Sequence, residues 1–114
     1  MNPMRICAFD YVPCVMNPKQ IDLAEKVFAA IKNKNTYKAA IENNVDFVAR
    51  PKGDDAIDIF MTDLHYDMDV KNKRTLVKTP FRLTEVPSEF NHKITRVLEK
   101  MNTYLVNAYN VKVK

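Results

Sequence analysis

The sequence predicts one α+β domain over residues 1–114: an antiparallel sheet of three to five strands packed on two or three helices, the last of them long and C-terminal. Three observations carry this expectation. Apolar residues recur at helical spacing over 18–33 and again from Ser88 to about residue 109, whereas between 45 and 83 the period drops to two. The turn-forming run Pro51-Lys52-Gly53-Asp54-Asp55 divides two of the alternating stretches, as a hairpin requires. A chain of 114 residues can bury one core and is too short for a catalytic domain joined to a separate recognition domain.

Met4 to Phe9 suits a short strand, after which Pro13 and Pro18 remove backbone donors. Asn17-Pro18 reads as a helix cap followed by a first-turn proline. Ile21, Ala24, Val27, Phe28 and Ile31 then mark the apolar side of a helix over about 18–33. A break at Asn33-Lys34-Asn35 leads to a second helix capped by Thr36, carrying Tyr37, Ala40 and Ile41, and ended by Asn43-Asn44. The pair is either a helical hairpin or one kinked helix.

Val45, Phe47 and Ala49 alternate with Asp46, Val48 and Arg50, and Ala56 to Met61 is the expected return strand across the turn that holds Gly53. Leu64, Tyr66, Met68 and Val70 alternate strictly with His65, Asp67, Asp69 and Lys71, the pattern of a half-buried strand. After a turn at Asn72-Lys73, Thr75 to Leu83 puts Val77, Thr79, Phe81 and Leu83 on one face, with Pro80 marking an edge or bulged strand. Ser88 is the expected cap of the final helix, whose wide apolar face comprises Phe90, Ile94, Val97, Leu98, Met101, Tyr104, Leu105 and Ala108.

Gly53 is the single glycine, which argues against dinucleotide folds and phosphate-binding loops that need several. No cofactor motif is present and none is expected. The net charge of +4 conceals opposed blocks. Residues 1–44 carry six basic and four acidic groups (+2), residues 45–70 two basic and seven acidic (−5), and residues 71–114 ten basic and three acidic (+7). Arg5 and Asp10 interrupt the one stretch resembling a secretion signal, and no run is long enough to span a membrane; a cytoplasmic protein without membrane contact is expected. Cys7 and Cys14 then read as reduced, structural residues.

Three groups of residues are candidates for function. Asp63, His65, Asp67 and Asp69 share one side of a period-two strand and form a possible docking face for a macromolecular partner, or, with Asp58, for a hard cation. Asp58, Asp69 and Lys71 mimic by spacing the carboxylates and lysine of the PD-(D/E)xK nuclease pattern, over under a fifth of the chain. Asp54, Asp55, Glu25 and Glu42 are the other carboxylates within that scheme. The third group is basic: Lys71, Lys73, Arg74, Lys78 and Arg82 on a turn and strand, with Lys93, Arg96 and Lys100 as a stripe along the final helix. Tyr66 or Phe81 would stack on bases if exposed. Against a nucleic-acid reading, Lys outnumbers Arg 13 to 5 and seven acidic groups lie beside the basic ones.

His92 and Ser88 have no partner at nucleophile spacing, so covalent catalysis is not expected. The leading expectation is a small non-enzymatic interaction or inhibitor protein, of the kind a phage or mobile element carries as an accessory. Its partner is a protein ahead of a nucleic acid. A magnesium-dependent nuclease is the rival from the enzyme class. A homodimer through the edge of the 75–83 strand or the apolar face of the last helix completes the expectations.

Overall fold

The computed structural model describes residues 16–63 and 75–112. The expected strand at 4–9, both cysteines, the alternating stretch from Leu64 to Val70, and the turn at Asn72-Lys73 lie outside them. In chain order the elements are α1 (Pro18–Ile31), α2 (Asn35–Glu42), β1 (Val45–Lys52), β2 (Ala56–Asp63), β3 (Thr75–Arg82) and α3 (Pro87–Tyr109). The α+β class is as the sequence predicts: three helices and a three-stranded antiparallel sheet of order β1-β2-β3 among the described residues.

Asn17 starts α1 by a reciprocal cap. Its side chain accepts from the Gln20 backbone N–H at 2.9 Å, and Gln20 Oε1 accepts from the Asn17 N–H at 2.9 Å. The buried side of α1 is Gln20, Leu23, Ala24, Val27 and Ile31. The expected stripe is therefore rotated, because Ile21 is 41% exposed and Leu23 takes the inward position. Two separate helices follow, joined through Lys32 to Lys34, with Lys34 rather than Thr36 at the N-cap of α2. Asn44, at φ 62°, reverses the chain into β1.

β1 and β2 form the expected hairpin, with Val45 opposite Asp63 and Lys52 opposite Ala56. Gly53 sits in its turn at φ +62°, a conformation that favours a residue without Cβ. On β3, Lys78 pairs with Phe60 but Leu76 pairs with Met61, so the bulge falls at Val77 rather than at Pro80. Val45, Phe47 and Ala49 of β1, Ile57, Ile59 and Met61 of β2, and Phe81 of β3 form the inner sheet face. They meet Leu23, Val27 and Ile31 of α1, Tyr37 and Ala40 of α2, and Phe90, Ile94, Val97, Met101 and Leu105 of α3 in one cluster. Most of the apolar face of α3 is taken up by this core, and Ala108, expected on that face, is exposed. Val86 caps α3 and Ser88 lies in its first turn without a side-chain cap bond, which removes the expected capping role of Ser88.

Gln20 ties the helix layer to the hairpin. At 1% exposure its amide donates to the Gly53 carbonyl at 2.9 Å and to the Ala56 carbonyl at 2.8 Å. Asn17 Nδ2 adds a bond to the Asp54 carbonyl at 3.1 Å. Gln20→Ala is expected to destabilise the fold by about 2 kcal/mol, because two carbonyls and the Asn17 N–H lose their partner together. Urea titration measures this directly; a loss under about 0.5 kcal/mol would mean that water replaces the amide at no cost.

Candidate functional site

A groove of about 230 Å³ runs between β3 and the first half of α3. Lys78, Thr79 and Pro80 line it from the strand, and Glu89, His92, Lys93, Arg96 and Lys100 from the helix. The helical periodicity explains the second set. Phe90, Ile94, Val97 and Met101 turn inward, and at 3.6 residues per turn positions 89, 92, 93, 96 and 100 fall within about 100° on one flank of that stripe. β3 is held in place from below by Phe81, fully buried, whose ring meets Phe90 edge-on at 5.5 Å between centroids. With Phe81 turned toward the core, Lys78 and Pro80 are exposed at the strand side of the groove.

The four cations are not equivalent. The Lys93 ammonium forms an ion pair with Glu85 and lies 5.8 Å from the centre of the Phe81 ring, so its charge is partly committed within the protein. Lys78 and Arg96 are exposed and Lys100 is half-buried. His92 Nε2 stands 3.4 Å from Arg96 Nη2. Glu89 is the acidic group of the lining. The Arg96 and Lys100 backbones are about 6 Å apart along the helix axis, near the interval between successive phosphates on one strand.

Sequence reasoning placed Lys93, Arg96 and Lys100 on a stripe and Lys78 in a different cluster; the fold brings the two together. His92 joins them from the same flank, a position that its spacing of four from Arg96 would have revealed. Arg82 is exposed on β3 and does not line the groove. Lys71, Lys73 and Arg74 lie outside the described residues, as do Tyr66, His65, Asp67 and Asp69. Phe81 is fully buried, so the reading of it as a stacking platform for bases is corrected.

Asp63 also takes a different place from the one expected. The return strand does not stop at Met61 but continues to Asp63, which therefore shares the inward face of Ile57, Ile59 and Met61. It is 1% exposed. Its Oδ2 accepts from the hydroxyls of Tyr104 and Tyr109, each at 2.5 Å. These two rings meet edge-on, 6.1 Å between centroids, in the last turn and a half of α3. Asn110, left-handed at φ 56° and ψ 38°, ends the helix directly after Tyr109. Asp63 is a tie between the sheet and α3 and does not stand on an open acidic face.

Asp58 is buried on the opposite sheet face, between Arg50 and Pro80 in the register, with Oδ1 lacking a hydrogen-bond partner. Its supposed nuclease partners Asp69 and Lys71 lie outside the described residues, and among those residues no group of three His, Cys, Asp or Glu side chains is placed to hold a metal ion. Nor is any described helix long and apolar enough to cross a membrane. No known family pattern, curated relative or solved structure matches the chain.

Proposed function

We propose that the protein is a small non-enzymatic binding module that holds a nucleic-acid strand by its phosphates in the groove between β3 and α3. One observation carries the reading: Lys78 from the strand and Arg96 and Lys100 from the helix converge on one concave surface, although Lys78 and Arg96 are 18 positions apart in the sequence. Convergence of cations from two elements suits a row of phosphates, because each contact releases a condensed counterion and the contacts together fix the strand's direction. Glu89 bounds the row at the helix start and disfavours any negative charge placed there. An acidic protein segment is the other outcome of the test.

With three phosphates neutralised, binding of a labelled single-stranded oligonucleotide is expected to weaken about 20-fold between about 50 mM and about 200 mM salt. The variant K78E/R96E/K100E is expected to lose at least about tenfold in affinity at the lower salt while keeping its fold. Lys93 is left intact in it, since reversing that charge would break the pair with Glu85. Absence of binding by the natural protein at micromolar concentration, or equal binding by the variant, refutes the reading.

A further inference from the structure

All three helices pack on the inner face of the sheet, so the outer face of β1 and β2 carries no layer among the described residues. Alternation puts Val48 and Arg50 of β1 and Asp58 and Phe60 of β2 on that outer face. In the register Val48 stands beside Phe60, and Arg50 beside Asp58. Val48 and Phe60 are half-buried and Arg50 is exposed. Asp58 is 8% exposed, and its Oδ1 has no hydrogen-bond partner. The neighbouring Arg50 does not supply one, because its guanidinium lies over the Phe60 ring, 5.4 Å from the centroid. A buried acceptor without a donor is costly, so a donor brought from outside the chain is favoured there.

The register lets a second copy of the chain bring that donor. A two-fold rotation about an axis parallel to the strands, over the gap between β1 and β2, lays β1 of each copy on β2 of the other. Register partners stand side by side, so this one rotation sets Arg50 against Asp58 of the partner subunit and Val48 against Phe60 of the partner subunit. We infer that the chain forms a two-fold dimer through the outer faces of β1 and β2, held by two reciprocal Arg50–Asp58 pairs beside two Val48–Phe60 contacts. Asp58 has already lost most of its hydration within one copy, so pairing it adds little further desolvation. β3 falls outside the overlap, which leaves Lys78 and the groove between β3 and α3 open in both copies. The dimer stands independently of the nucleic-acid reading.

Two strands per copy make a small interface, so sedimentation equilibrium is run from about 10 µM to about 1 mM protein. Over that range the natural chain is expected to approach twice the mass of one copy. Arg50→Asp sets acid against acid at both contacts, and Asp58→Arg sets base against base, so each variant alone is expected to associate at least about tenfold more weakly. Mixed in equal amounts, R50D and D58R are expected to recover the dimer, because every acid then faces a base of the other variant. Neither an ion pair within one chain nor a purely structural role for Asp58 gives that rescue. Far-UV circular dichroism checks the fold of each variant. Should D58R unfold, the nearly isosteric D58N takes its place and is expected to associate at least about tenfold more weakly than the natural chain. A natural chain that stays monomeric throughout, R50D that associates as the natural chain does, or a folded mixture that stays monomeric overturns the dimer, as does unchanged association of D58N.

Discussion

Asp63→Ala is expected to lower the unfolding free energy by about 3 kcal/mol. The substitution removes the common acceptor of Tyr104 and Tyr109, and with it the polar link between the end of β2 and the end of α3. Hydrogen bonds to a carboxylate contribute about 1.5–3 kcal/mol each, and leaving their donors without a partner in a buried site costs a similar amount. The two rings are half-buried, so water reaches the freed hydroxyls in part, which holds the expected loss to the lower end of the range. Asp63→Asn keeps one acceptor oxygen and is expected to lose about half as much. The chain has no tryptophan, and far-UV circular dichroism in urea is the suitable readout. A loss under about 1 kcal/mol for Asp63→Ala would show that this carboxylate is solvated rather than held by the tyrosines.

Phe81→Ala is expected to cost more, about 3–5 kcal/mol. Phe81 is fully buried, packs edge-on against Phe90, and lies beneath the Lys93 ammonium, so truncation leaves a cavity where β3 meets α3. For a domain of this size that is a large share of a total stability of about 5–15 kcal/mol. Phe81→Leu retains most of the volume and is expected to recover more than half of the loss. Its oligonucleotide affinity separates a packing role from a stacking one. Unchanged affinity in a folded Phe81→Leu protein is the expected result, and a specific loss of binding with stability preserved would return Phe81 to the list of base-contacting residues.

The fold was largely written in local patterns. The 3.6-residue apolar spacing of α3 and the alternation of β1 with its return strand depend on which face of one element is buried, and each is visible within about ten residues. Asn17, Pro18 and Gly53 act on their own backbone conformations and were equally plain. Errors arose where polarity was used as a sign of exposure. Ile21 looked inward and is exposed, while Asp63 looked outward and is, with the polar Gln20, among the most buried side chains. Gln20 is satisfied by carbonyls more than thirty positions away, and Asp63 by tyrosines more than forty positions away. A buried polar group is tolerated when partners arrive from elsewhere, and one segment of sequence does not show what will arrive.

The same division holds for the groove. Composition and segment charge were enough to show that the C-terminal third is basic and that a stripe runs along its helix at 93, 96 and 100. Chain folding alone put Lys78 opposite that stripe, turned Lys93 toward Glu85, and removed Asp63 from the surface where an acidic docking face was expected. Local periodicity reports how a single helix or strand divides its residues between core and solvent. The partner of a charge is set by the packing of one element on another, through distances of a few ångströms between residues remote in the chain.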